Sequence, residues 1–308
     1  MKKRIAFFQD SLSVGGIQKS LFNLLWNLDY SRVDVSLFLF MDDCAFPGGL
    51  PENLKIHYID PPARVFSFLP FDTARPFWHY DWSRYGEFDL AADFNSYQFG
   101  CACGALGVHA KKRVMWIHND VEIKLQNEWK YKVLWHFFQG KLKYYNSFIP
   151  VSQGVIEPFQ RASGIKNASF TVISNYIDVP EIRKKQSEPV NLPDYDPEMM
   201  NFVAMGRLCH QKGYDIMIDL FAKACRQRDD IRLFIVGGGM DRRKLSRQAE
   251  RKAPGKIIFL GETNNPFAIL NKMDGFISTS RYEGQGMNIL EARAIGLPLY
   301  CSKNLEQY

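Results

Sequence analysis

Residues 275–301 read GFISTSRYEGQGMNILEARAIGLPLYC. The first four residues form a short apolar run of strand length. Residues 287–295 follow as a helix, and residues 297–301 form a second apolar run. Both runs are apolar almost throughout rather than alternating, as in strands covered on both faces of a parallel sheet. Between strand and helix lies a polar loop carrying Arg281, Glu283, Gly284 and Gly286.

Upstream the same unit repeats. Residues 202–205, 232–236 and 256–260 read as strands. Met217, Ile218, Leu220, Phe221, Ala224 and Cys225 have the spacing of one buried helix face. Basic residues dominate the helical stretch 241–253, and residues 266–273 read as another helix. In the first half, residues 5–8, 33–40, 55–59, 90–94, 113–117 and 147–151 are strand candidates. Helices are expected at 16–28, 127–145 and 154–162. Residues 178–201 hold Pro180, Pro189, Pro193 and Pro197 with little apolar periodicity, and read as a linker and surface loop. The expectation is α/β, with a first Rossmann-like domain over residues 1–178 and a second over 179–308.

Ligands of open parallel sheets bind outside the carboxyl ends of the strands. Four polar clusters fall there: Gly15-Gly16, His118-Asn119-Asp120, Gly206-Arg207 with Lys212 beyond, and the loop from Arg281 to Gly284. If the two carboxyl edges face each other, all four line one cleft. The last cluster is the richest. Glu283 and Glu291 stand with seven residues between them. Gly284 and Gly286 allow close backbone approach to a ligand. A helix starting near Met287 points free N–H groups at the loop, a ready diphosphate site. Glu291 is placed to accept two hydrogen bonds from adjacent hydroxyls, as on a ribose. Acids that merely complement the helix dipole are the plainer reading of the same pattern. Arg207 and Lys212 add the positive charge that a diphosphate leaving group needs.

Composition narrows the classes. The chain has 308 residues, 46% hydrophobic and 23% charged, as in an ordinary globular protein. Its formal charge of +6 reads as spread along the chain, a mild preference for anionic partners. No recognition motif or dense basic stripe points to nucleic acid. The six cysteines form no CxxC and no zinc spacing. Cys101 and Cys103 read as buried thiols, and the compartment as reducing. Gly237-Gly238-Gly239 lacks the third glycine of a dinucleotide fingerprint, because Arg242 stands there. The apolar run after Met1-Lys2-Lys3-Arg4 stops at Gln9-Asp10, too short for a signal peptide. A cytoplasmic location is expected, with contact at the inner face of the plasma membrane.

Together these pieces resemble the family 4 glycosyltransferases, retaining enzymes of the GT-B fold. The matching parts are Gly15-Gly16, His118, Asn175-Tyr176-Ile177-Asp178, Gly206-Arg207-Leu208 with Lys212, Gly261 with Asn265-Pro266, and the pair Glu283 and Glu291. The resemblance spans nearly the whole chain and is similar in style to bacterial surface-polysaccharide enzymes. It implies two facing Rossmann-like domains and a nucleotide diphosphate sugar donor, most often UDP-linked. Glu291 would hold the ribose. Glu283 and the backbone of Gly284, Gln285, Gly286 and Met287, with Asn288, would hold the donor sugar. Arg207, Lys212 and Gly16 would hold the diphosphate, and Gly15 belongs to the same loop. Gly261, Glu262, Thr263 and Asn264 would face the base. His118 would lie beside the transferring sugar. Transfer to a glycan or lipid-linked acceptor would retain the anomeric configuration by front-face attack, with no metal. A nucleotide-sugar epimerase and a nucleotide-sugar-binding partner subunit are the competing classes. The family usually adds a strand and helices beyond the strand that ends here near Cys301, so the second domain is expected to be incomplete.

Residues 127–145 also carry Trp129, Val133, Leu134, Trp135, Phe137, Phe138, Leu142 and Tyr145 among Lys130, Lys132, Lys141 and Lys143. That is the pattern of a helix lying on an anionic bilayer, or of a core helix with a solvated lysine face. A second aromatic cluster runs from Arg64 to Tyr85 through Phe66, Phe68, Phe71, Phe77, Trp78 and Trp82. It reads as membrane contact or as acceptor-binding loops.

Overall fold

The structure, a computed structural model, describes residues 2–13, 15–46, 48–62, 69–302 and 305. The chain divides into two compact units, Met1–Tyr176 and Ile177–Tyr308.

In the first unit β1 (Lys3–Gln9), α1 (Gly16–Trp26), β2 (Val33–Leu39), β3 (Lys55–Tyr58), α2 (Phe71–Ala74), β4 (Phe88–Asp93) and α3 (Phe99–Gly107) come first. They are followed by β5 (Ala110–Ile117), α4 (Val121–Asn127), α5 (Trp129–Phe138), β6 (Ser147–Pro150), α6 (Ile156–Ser163) and β7 (Ser169–Phe170). The sheet order is β3-β2-β1-β4-β5-β6-β7, parallel at every pairing. The chain walks outward from β1 to β3, then returns to place β4 on the other side of β1. That reversal opens a crevice between the carboxyl ends of β1 and β4. Phe7, Leu37, Ala92 and Val114 fill one face of the sheet, and Phe8, Phe38 and Ala91 the other.

The second unit runs α7 (Val179–Gln186), β8 (Met200–Met205), α8 (Tyr214–Ala224), β9 (Ile231–Val236), α9 (Arg242–Lys252), β10 (Ile257–Gly261), α10 (Pro266–Leu270), β11 (Gly275–Ser278), α11 (Met287–Ile295) and β12 (Leu299–Cys301). Its sheet is again parallel, in the order β10-β9-β8-β11-β12, with the reversal between β8 and β11. No helix among the described residues is long and apolar enough to cross a membrane.

Four expectations change. First, residues 178–201 are not a plain linker. Asp178 caps α7 by accepting from the Glu181 N–H at 3.0 Å, Pro180 occupies the first turn, and Ile182 is buried. α7 packs on α10 and α11, and Asn265 donates to the Lys185 carbonyl at 2.9 Å. One buried apolar residue gives no visible period, which is why the pattern hid this helix.

Second, residues 127–145 form no single helix. α4 ends at Asn127, α5 spans Trp129–Phe138, and a 3-10 segment covers Gln139–Tyr144. Tyr131, Trp135, Leu142 and Tyr145 enter the core, while Trp129 and Val133 stay exposed. Third, Lys141 does not border a membrane face. It is 2% exposed, and its Nζ lies 3.0 Å from Asp93 Oδ2 and 2.7 Å from the Ser96 carbonyl. Arg64, Phe66 and Phe68 lie outside the described residues, as do the side chains of Phe77 and Phe138.

Fourth, the charge is not evenly spread. Arg242, Arg243, Lys244, Arg247, Arg251 and Lys252, less Glu250, give α9 alone +5 of the formal +6. Leu245 and Ala249 turn to the core, and the cations face water.

Removing one member of a buried ion pair strands the other charge. Lys141→Met is therefore expected to destabilise the first unit by about 3–5 kcal/mol. Lys252→Met, which breaks a pair of half-exposed groups with Asp219 at 2.6 Å, should change stability little. Urea denaturation of the two variants measures the contrast.

Candidate active site

In the second unit the polar residues converge on the reversal between β8 and β11. Gly206 leaves β8 with φ +144°, and Gly237 leaves β9 with φ +132°. A Cβ on Gly237 would stand 2.2 Å from the Gly206 carbonyl oxygen. The two strand ends can touch only because this side chain is absent. The Gly206 N–H donates to the Val236 carbonyl at 3.0 Å, and the Leu208 N–H to the Gly238 carbonyl at 2.7 Å.

Residues 209–213 are clamped in turn to the loop after β11. The Arg281 N–H reaches the Gln211 carbonyl at 2.7 Å. The Arg281 guanidinium takes both oxygens of Asp215, at 2.9 and 2.7 Å, and holds that carboxyl below its ordinary pKa. The Thr279 hydroxyl donates to the Gly213 carbonyl at 2.9 Å.

This clamp sets Lys212 against Glu283, with Nζ 2.5 Å from Oε1. The Lys212 side chain is 17% exposed and that of Glu283 7%, so the pair is largely out of water without being sealed from it. Beside it, the Asn288 amide donates to the Met205 carbonyl at 2.6 Å, while its own Oδ1 has no hydrogen-bond partner among the described residues. α11 begins after Gly286, which sits at φ +52° with no side chain capping the helix. The helix N-terminus is thus presented to the loop that holds the ion pair. Glu291 is buried one turn into α11. Arg207 is exposed at the same edge. Glu262, Thr263 and Asn264 are exposed beyond β10, with Gly261 buried at its end.

In the first unit His118 follows β5 and is buried. Its Nε2 lies 2.7 Å from the Phe94 carbonyl, an acceptor only, so Nε2 carries the proton and Nδ1 keeps its lone pair. Burial is the main cause that lowers its pKa to about 4, against the opposing effect of the Phe94 carbonyl. Gly15 precedes α1, and Gly16 opens it.

Between the carboxyl ends of β1 and β4 lies a network that the sequence reading passed over. Asp10 Oδ1 accepts from Asn95 Nδ2 at 2.7 Å and from Gln9 Nε2 at 3.0 Å. Burial raises the Asp10 pKa. The signal was present: Asp10 directly follows the first strand, but it was read only as the end of an apolar run.

Residues 14–181 match the family described as Glycosyltransferase Family 4. The chain belongs to glycosyltransferase family 4. Residues 185–306 match the family described as Glycosyl transferases group 1. Among curated relatives, the chain is 26% identical over 155 residues to the N-acetylgalactosamine-N,N'-diacetylbacillosaminyl-diphospho-undecaprenol 4-alpha-N-acetylgalactosaminyltransferase of Campylobacter jejuni, covering 50% of this chain and 40% of that protein. It is 27% identical over 153 residues to the lipopolysaccharide core biosynthesis mannosyltransferase LpsB of Rhizobium meliloti, covering 47% and 44%. An uncharacterized glycosyltransferase of Methanocaldococcus jannaschii matches at 24% over 195 residues, covering 61% and 47%. The family 4 chain thus spans less than half the length of each of these relatives. Among solved structures, Anabaena HepE in complex with UDP has a TM-score of 0.65 at 19% identity, covering 98% of this chain and 81% of that one. Sucrose-phosphate synthase from Thermosynechococcus elongatus has a TM-score of 0.71 at 17% identity, covering 98% and 82%. These likenesses show the shared α/β fold, two parallel sheets of the GT-B type.

A histidine whose folded pKa of about 4 lies below its ordinary value binds its proton in the unfolded chain first. Its contribution to stability is complete above about pH 6.5 and is lost as pH falls toward 4, by about 3 kcal/mol at most. Urea midpoints should therefore fall through that window, and His118→Asn should flatten the slope.

Proposed function

We propose that this chain is a retaining glycosyltransferase that moves a sugar from a nucleotide diphosphate sugar, UDP-linked, to a glycan or lipid-linked acceptor in bacterial surface-polysaccharide synthesis. The observation that carries the reading is the Lys212–Glu283 pair set beside the N-terminus of α11 at the strand-order reversal of the second unit. An ammonium and a helix N-terminus at one edge stabilise a departing diphosphate. The carboxylate accepts from sugar hydroxyls. On this reading Glu291 holds the ribose, and Arg207 adds charge at the diphosphate. Gly261, Glu262, Thr263 and Asn264 face the base. Gly284, Gln285, Gly286 and Met287 line the sugar, and Gly15 and Gly16 give backbone to the phosphates. Neutral His118 accepts a hydroxyl hydrogen bond through Nδ1. The diphosphate itself takes the acceptor's proton as the new bond forms on the face the leaving group vacates.

Several resemblances support the finer points. HepE has been solved with UDP and with UDP-glucose. The Campylobacter relative is named for a diphospho-undecaprenol substrate, and the Rhizobium relative for lipopolysaccharide core synthesis. Lys212 and Arg207 supply the counter-charge that a divalent ion would otherwise bring, so no metal is invoked. The acceptor reading places the enzyme on the cytoplasmic side of a membrane that carries such lipids.

Thermal-shift binding of UDP-, GDP- and ADP-sugars is the direct test. Donor at ~100 times its dissociation constant stabilises by about 2.7 kcal/mol. Glu291→Ala should abolish the UDP-sugar shift, whereas Glu283→Gln should keep binding and lower transfer at least tenfold. Shifts of equal size in both variants would sink the assignment. Product anomers read by NMR should match the donor's configuration, and the rate should survive a chelator.

A further inference from the structure

The first unit holds a second depression, of about 660 Å³, against Cys103 and Gly107 of α3. α3 starts at Phe99, beside the carboxyl edge, and Gly107 lies about 12 Å farther along its axis. The volume falls in the ~300–1,000 Å³ range of small-molecule sites. Trp78, Tyr80, Trp82 and Tyr144 form its aromatic wall.

Trp82 is the informative residue. It is 9% exposed, its ring set edge-on to Phe8 and Phe38 at 5.7 and 5.8 Å. A buried indole N–H normally has a partner. This one has no hydrogen-bond partner among the described residues, though the residue lines the depression. Gly107 lets the indole edge close on α3, since a Cβ there would stand 2.4 Å from Nε1. Glycine costs a helix stability relative to alanine, and Gly107 carries no positive φ that would call for it.

The charges select a neutral ligand. Asp72 and Asp81 in the lining are balanced by Arg75 and by the Lys143 that pairs with Asp72, which leaves no net attraction for a phosphate. Asp72 is already held by Lys143 at 2.7 Å and Tyr144 at 2.6 Å, and Arg75 by the Leu106 carbonyl at 3.2 Å. The shape disfavours a flat base. Trp78 and Tyr80 meet at 37°, Tyr80 and Trp82 at 46°, and Trp78 and Trp82 at 80°. Such rings form no parallel slot. A pyranose offers C–H groups on its faces and hydroxyls on its rim, which suits tilted rings around one N–H donor.

We propose that this depression is a saccharide-holding subsite of the first unit, separate from the transfer edge. A sugar hydroxyl oxygen accepts from Trp82 Nε1–H while the ring faces pack on Trp78, Tyr80 and Tyr144. An enzyme that extends a glycan would thereby grip the chain at a second point. The binding itself does not depend on the transfer reading.

The test is a glycan array of neutral hexose and N-acetylhexosamine oligosaccharides, followed by calorimetric titration of the best binder. Trp82→Phe keeps the ring packing and removes the N–H, and Tyr144→Ala removes an exposed wall. Each should weaken oligosaccharide binding at least fivefold while UDP-sugar binding stays as in the native protein. Oligosaccharide binding without any nucleotide-sugar binding would still uphold the subsite and would count against the transfer reading alone. The subsite is overturned by three results: no oligosaccharide bound at millimolar concentration, native affinity retained in both variants, or displacement of the oligosaccharide by UMP.

Discussion

Strand ends of the second unit pass within backbone contact of one another, and only glycine permits it. The carbonyl of Gly206 occupies the place where a side chain on Gly237 would stand, and the carbonyl of Thr279 does the same for Gly213. Those two contacts draw the loops after β8, β9 and β11 together. The Lys212–Glu283 contact depends on that closeness. Lys212 reaches Glu283 because the turn that carries it is pinned to the loop that carries the glutamate, by Arg281, Thr279 and Gln211. A charge pair held this way costs less ordering than one built from free side chains. The clamp residues therefore fix the geometry of the pair.

The first unit solves a different problem. Its carboxyl edge carries Asp93, Asp10 and His118, three titratable groups at or near the interior. Each is settled by a local partner. Asp93 is neutralised by Lys141 and takes the Tyr145 hydroxyl at 2.6 Å. Asp10 is held by two amides. His118 stays uncharged because burial disfavours the imidazolium and outweighs the Phe94 carbonyl, which favours it. A neutral imidazole and an amide-bound carboxylate are groups that hydrogen-bond hydroxyls. The positive charge is instead at the edge of the second unit, on Lys212 and Arg207, and on the outer face of α9.

Much of this was legible beforehand, and for a physical reason. Nearly continuous apolar runs of strand length, separated by helical periods, mean a parallel sheet whatever the details. Glycines and charged residues placed just after those runs mean a ligand edge. The pair Glu283 and Glu291 was readable because both lie on one loop–helix element. Lys141 was misread because its charge suggested water, whereas its partner lay 48 positions away. α7 was missed because its stability comes from a cap and from packing on α10 and α11, not from its own periodicity. The net charge was misjudged because +6 over the chain conceals +5 on one helix.

By itself the sequence determined the fold class, the alternation of most strands and helices, and the residues that stand at the strand ends, because these follow from short-range pattern and from the stiffness of the backbone. The tertiary structure alone decided which of those residues meet. That Lys212 lies 2.5 Å from Glu283, that Asp10 is gripped by Asn95, and that the Trp82 indole packs against Gly107 all join positions 25 to 85 residues apart. Such pairs are set by sheet order and by which backbone can approach which. No local spacing records either.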